Sequence, residues 1–181
     1  MDWINLAKEV GFEAVCPINM ESLCPMQEVR DMCAADKCRA YGKRWVCPPG
    51  CGSIEHCRDK ISHYSGGILV QTVGSLQDEF DLEGIDRAQK THDKRFKTLA
   101  RQVRYFEKDC LPLSAGTCTR CEVCTYPDKP CRYPDKILSS MEAYGLLVSD
   151  VCTKSGMPYY RGENTITFTS CILIDREERS K

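Results

Sequence analysis

Between residues 85 and 108 the apolar side chains Ile85, Ala88, Phe96, Leu99, Val103 and Phe106 recur mostly three or four positions apart. At roughly 3.6 residues per turn that spacing gathers them on one face, and it predicts a long amphipathic helix. The chain closes on a different period. Across 165–174, Ile166, Phe168, Ile172 and Ile174 point one way and the threonines the other, which predicts a strand with one buried face. The apolar run 67–73 reads as a strand, as do Phe12 to Ile18, 111–115 and 146–149. Shorter helices are expected at 3–10, ended by Gly11, at 26–34, and from Ser53, whose hydroxyl suits an N-cap ahead of Ile54, Cys57 and Ile61. Two more are expected at 135–144, with Gly145 at its C-terminus, and at 149–155. From residue 67 onward the order is βαββαβ, a ferredoxin-like split motif. The expected fold class is α+β. Residues 1–60 form an N-terminal α/β extension packed beside a unit of residues 61–181, all within one domain.

Composition narrows the function classes. The 181 residues carry 25 basic and 26 acidic side chains, so overall charge offers no handle for nucleic acid or an anionic membrane surface. The longest apolar runs, Gly67 to Val70 and Cys171 to Ile174, are far short of the ~20 residues of a membrane span. Met1-Asp2-Trp3-Ile4-Asn5 lacks the basic and apolar regions of a secretory signal, so a cytoplasmic, reducing location is expected. There, 14 cysteines point to metal or redox chemistry rather than to structural disulfides. No GxGxxG or phosphate-loop sequence is present. Between residues 86 and 108 eight basic side chains face three acidic ones, which reads as a docking face for an acidic redox partner or as a plain solvated helix face.

The cysteines fall into two blocks separated by a stretch without any, from Arg58 to Asp109. The second block spaces Cys118, Cys121 and Cys124 at successive i+3 positions, with Cys131 seven further on and Pro134 behind it. Such a run lets one loop wrap a cuboidal inorganic core, each thiolate reaching a different iron, and it is close to the ligand run of bacterial ferredoxins. Zinc sites more often pair two separate C-x2-C turns, so zinc is the alternative here. Tyr126 and Tyr133 are candidate shields, and Arg132 is a candidate counter-charge. Glu142 and Tyr144, in SMEAYG, are candidates for lining this same site.

The first block holds Cys33, Cys38, Cys47, Cys51 and Cys57, interleaved with Gly and Pro. Cys33, Cys38 and Cys47 read as ligands, with Tyr41 and Trp45 as an apolar cover. The fourth place belongs to Cys51, to Cys57 on the following helix, or to no protein residue. An open iron would bind substrate or sulfide, whereas four thiolates leave a cluster to pass electrons. Cys16, Cys24, Cys110, Cys152 and Cys171 read as bystanders, His56 as a surface residue and His92 as a satisfied histidine at the boundary of its helix's apolar face.

CRAYGKRWVCPP with the helix start GSIEHC, followed by LSAGTCTRCEVCTYPDKPCRYP and SMEAYG, resembles a prokaryotic family of predicted metal-binding proteins, a domain of unknown function. The likeness runs from about Gly11 to Ile174. It implies metal at Cys33, Cys38 and Cys47, and at Cys118, Cys121, Cys124 and Cys131, and it implies no particular reaction. The expected function is an iron–sulfur protein, with two [4Fe–4S] clusters, that exchanges electrons with a flavoprotein or other oxidoreductase. The alternatives are an enzyme using an open-iron cluster for sulfur or Lewis-acid chemistry, and a zinc-stabilised interaction module.

Overall fold

Four strands form one antiparallel sheet in the order β1-β2-β4-β3, where β1 is Ala14–Pro17, β2 Gly66–Ser75, β3 Cys110–Leu113 and β4 Thr165–Ile174. The computed structural model describes residues 1–175. β2 and β4 pair along ten residues, from Gly66 opposite Ile174 to Ser75 opposite Thr165. The two edge strands are short: β1 covers only Ile68 to Gln71, and β3 only Cys171 to Ile174.

The long periodic segment is helix α4 (Leu82–Phe106), started by Asp81, whose carboxylate accepts the Gly84 N–H. Its stripe of Phe96, Leu99 and Val103 lies on one face of the sheet against Ile68, Val70 and Ile172, and helix α1 (Trp3–Glu9) joins it there through Ala7. Helices α2 (Gln27–Ala34) and α3 (Ile54–Ser62) precede β2, and α5 (Val148–Lys154) precedes β4. The other face of the sheet, with Leu69, Cys171 and Leu173, is covered by Cys57 and Ile61 of α3, by Leu146, and by Val151 and Cys152 of α5. β4 is therefore buried on both sides in its second half, not on one. Alternation with threonine stops at Thr169, and Ser170, Cys171, Ile172 and Leu173 that follow are small or apolar in both directions.

The βαββαβ order is not the one observed. The β2-α4-β3 unit is present with β4 between its strands, but no strand forms at 146–149. Leu146 is buried in the core and Leu147 is already the N-cap residue of α5. The fourth strand is β1, so the N-terminal segment enters the sheet rather than lying beside it. The helix expected at 135–144 is also replaced, by two 3-10 turns at Pro134–Lys136 and Glu142–Tyr144. Between them the backbone is engaged elsewhere: Ser114 N–H donates to Ser139 C=O at 2.8 Å and Met141 N–H to Ser114 C=O at 3.1 Å. Arg104 of α4 donates to the carbonyls of Asp135 and Ile137. These long-range bonds outweigh the weak helical preference of Leu138-Ser139-Ser140.

His92 lies deeper than the boundary position expected from sequence. It is 1 % exposed, with Nδ1 2.9 Å from Thr72 Oγ1 and Nε2 2.7 Å from Ser170 Oγ. Burial, helped by the Arg95 guanidinium, pushes it down from 6.5 to about 4. The neutral ring is thus the folded form, and below pH 6.5 the unfolded chain takes up a proton that the folded chain refuses. Each tenfold loss of proton affinity on folding is worth about 1.4 kcal/mol. About 3 kcal/mol of stability present above pH 6.5 is therefore lost as pH falls towards 4. Urea unfolding between pH 7.5 and 5 is expected to show this slope, and His92→Gln to lack it.

Candidate metal centre

The second cysteine block leaves the end of β3 through Gly116, whose φ of 75° is in the left-handed region. The loop then folds back on itself. Lys129 N–H donates to Thr125 C=O at 3.0 Å, Thr125 Oγ1 to Pro130 C=O at 2.9 Å, and Arg132 to Val123 C=O at 2.9 Å. This return brings Cys131 beside the earlier three, and Cys118, Cys121, Cys124 and Cys131, all half-buried, line one cleft. Four cations, Arg44, Arg120, Arg132 and Lys136, line it as well, and among the described residues no carboxylate does. Burial disfavours ionisation of Cys124, but the backbone amides of Tyr126, Trp45 and Thr125 and the Arg44 guanidinium outweigh it, holding this thiol below its ordinary range. The Tyr133 N–H donates to the Cys131 sulfur at 3.4 Å.

Part of this cleft is built by the first block. Trp45 does not cover the first site as its position in sequence suggests; its indole N–H donates to Lys129 C=O at 3.1 Å and its ring meets Tyr126 edge-on, centroids 4.9 Å apart. Arg44 reaches the Cys121 carbonyl at 3.4 Å. Cys118 packs against a small core of Ala40, Val46 and Cys47. Next to it, Thr117 Oγ1 is 3.2 Å from the Cys47 sulfur. The two blocks, far apart in sequence, share this wall. Nothing in the linear sequence marks Arg44 or Thr117, apart from the latter's place before Cys118.

In the first block, Cys33 closes α2 and Cys38, Cys47 and Cys51 sit on the turn-rich segment 35–52 that follows. Cys33 is pushed up to about 11 by burial, then by Glu142, Cys38 and Cys47, with Arg30 opposing. Burial also raises Cys47, against the Thr117 hydroxyl, with Cys38 and Cys51 acting in the same direction as burial. These four thiols share one neighbourhood. Cys57, wholly buried on α3, stands behind them: it pairs with Cys51, and Arg30 Nη1 lies 3.8 Å from its sulfur. Of this pair Cys57 ionises more readily, since its contact with Cys51 and the facing Arg30 guanidinium both favour its thiolate, and the same contact raises Cys51. Among the described residues, no group of three or more His, Cys, Asp or Glu side chains is drawn together tightly enough to hold a metal ion as the side chains stand.

Glu142 and Tyr144 belong to the first site, not the second. The Cys33 sulfur is 3.9 Å from the Glu142 carbonyl and the Cys51 sulfur 3.5 Å from that of Ala143. The Glu142 carboxyl, raised by burial, is among the groups acting on Cys33, and the raised Tyr144 hydroxyl faces Cys57 and Cys51. Gly145 places this segment, its carbonyl accepting the Met26 N–H at 2.8 Å just ahead of α2. Tyr41 is half-buried, held by its N–H to Asp36, and Tyr133 lies at the cleft rim of the second site. Cys152 and Cys171 are buried in the core, Cys16 and Cys110 are half-buried at its margin, and Cys24 and His56 are exposed.

Among the described residues no helix is long and apolar enough to cross a membrane. Comparison with curated proteins and with solved structures gave no match. Residues 16–174, a span that contains both cysteine blocks and the SMEAYG segment between the two sites' walls, match the family described as "Predicted metal-binding protein (DUF2284)", and the chain belongs to that family.

Proposed function

We propose that this chain is a cytoplasmic iron–sulfur protein that holds one [4Fe–4S] cluster at each cysteine block and passes electrons to a redox partner protein. The observation that carries this reading is the cleft lined by all four thiols of the second block, whose wall is shared with the first. The donor set fits: thiolates are the usual ligands of such clusters, and a cluster held by four of them is anionic. Arg44, Arg120, Arg132 and Lys136 offset that charge, the Tyr133 N–H serves a ligand sulfur, and Trp45 on Tyr126 keeps water from one side. When bound, a cluster of this kind takes up and releases one electron at a time.

At the first block, Cys33, Cys38, Cys47 and Cys51 are the ligands and Cys57 is the thiol behind them, hydrogen-bonded to Cys51. Cys33 and Cys51 lie against successive carbonyls, of Glu142 at 3.9 Å and Ala143 at 3.5 Å, which supports Cys51 as a fourth thiolate over an open iron, and so a carrier over an enzyme. Contact through Thr117 and Cys118 gives electrons a short bonded route between the sites. Anaerobic purification is expected to yield a brown protein with about eight irons and matching acid-labile sulfide per chain, and broad absorbance near ~400 nm that dithionite bleaches. A colourless protein with stoichiometric zinc would overturn the reading in favour of a zinc-stabilised module.

A further inference from the structure

We infer that electrons enter through the second cysteine cleft from an acidic one-electron carrier protein, which docks on Arg120 and Lys136 rather than on the basic face of α4; the inference rests on the iron–sulfur reading above. The four cations of the second cleft are not equivalent. Arg44 and Arg132 are spent on the loop's own carbonyls, at Cys121 and Val123. Arg120 and Lys136 are exposed, and among the described residues neither forms an ion pair. Both also line the adjoining groove against α4, together with Cys118 and the Lys97–Asp93 ion pair. The loop's carboxylates, Glu122, Asp128 and Asp135, are exposed outside both clefts. At the rim stand two exposed apolar side chains, Val123 at 75 % and Tyr133 at 44 %.

Cations without a carboxylate partner, Arg120 and Lys136 (the latter 5.8 Å from the Tyr133 ring centroid), beside an apolar rim and over half-buried thiols, suit a partner whose own redox group is ringed by carboxylates. Complementary charge raises the encounter rate, and a small apolar contact fixes the orientation. The α4 face is less suited, because two of its lysines are already neutralised, Lys90 by Asp86 at 2.6 Å and Lys97 by Asp93 at 3.4 Å. The surface of the first site is likewise self-paired, through Lys43 and Asp36 at 3.0 Å. In the transfer itself, one electron leaves a carrier such as an anionic FMN hydroquinone, which becomes the neutral semiquinone, and reduces the oxidised cluster by one. No bond forms or breaks and no proton moves.

The probe is an acidic flavodoxin-type FMN protein, with affinity read by thermophoresis at low and physiological ionic strength and transfer read by stopped-flow absorbance. The Arg120→Glu/Lys136→Glu pair is expected to weaken binding at low ionic strength by at least about tenfold and to flatten its salt dependence. Arg120→Gln/Lys136→Gln should fall between this and the unaltered protein, and Lys94→Glu/Arg101→Glu on α4 should stay within about twofold of it. Equal or greater loss from the α4 pair, salt-independent binding, or preference for a basic haem protein over the acidic carrier would each overturn the docking assignment. Iron and sulfide are assayed on the same preparations. Charge-dependent binding by a protein without iron would sink the cluster reading alone, and iron-loaded protein indifferent to the charge reversals would sink the docking assignment alone.

Discussion

Cys51→Ser is expected to lower the iron content from about eight to about four per chain, and Cys124→Ser to do the same at the other site. Cys57→Ser is expected to leave the stoichiometry intact. The three side chains look interchangeable in composition but not in placement. Cys51 lies against the Ala143 carbonyl, next to the Glu142 carbonyl that Cys33 meets, whereas Cys57 is wholly buried behind it, against Cys51, Arg30 and Tyr144. Replacing the Cys57 sulfur by a hydroxyl alters a contact behind Cys51 without removing a thiol from the group of four, a change expected to cost about 10–100-fold in metal affinity at most. Iron and sulfide assays after a chelator challenge, with EPR spectra of the reduced proteins, separate the cases. Loss at Cys57→Ser with retention at Cys51→Ser would make Cys57 the ligand. Retention in both would leave an open iron and favour the enzyme over the carrier.

Gly145→Ala is expected to cost at least about 2 kcal/mol of stability. Gly145 has φ 78°, and a Cβ there would lie 2.8 Å from the Met26 carbonyl oxygen, 3.0 Å from its nitrogen and 2.5 Å from Ile54 Cδ1. Two of those atoms are backbone at the entrance to α2 and cannot rotate away. The displaced helix is the one whose last turn carries Cys33, so first-site iron should fall with stability. Gly156→Ala is the matched control, because φ is 75° there and a Cβ would meet nothing within 4 Å. It should cost only the backbone strain, about 1 kcal/mol. A urea midpoint for Gly145→Ala no lower than that of Gly156→Ala would remove the steric account.

Where local chemistry decides, the sequence was enough. The spacing of Phe96, Leu99 and Val103 placed α4 on its correct face, and Ser53 caps α3 through the His56 N–H as its position suggested. The i+3 series of the second block already implied a single loop around one site, and its four thiols do share a cleft. Where a segment's fate rests on a distant partner, the sequence misled. Leu146-Leu147-Val148 has the composition of a strand but is taken up elsewhere: Leu146 packs into the core and Leu147 is the N-cap residue of α5. Residues 137–141 lost their helix to bonds with Ser114 and Arg104. Trp45 looked like a cover for its own block, yet its indole finds a carbonyl, and its ring an aromatic partner, in the other one.

By itself, then, the sequence determined the donor chemistry and the strongest elements: thiol spacing and helical period are properties of neighbours along the chain. Only the tertiary structure decided that the N-terminal strand completes the sheet, that Glu142 and Tyr144 lie beside the thiols of the first block, that Cys57 is wholly buried, and that the two blocks meet at Thr117 and Cys47. Each of those outcomes is a competition among remote segments for the same buried surface and the same backbone hydrogen bonds, and spacing along the chain carries no record of which segment wins.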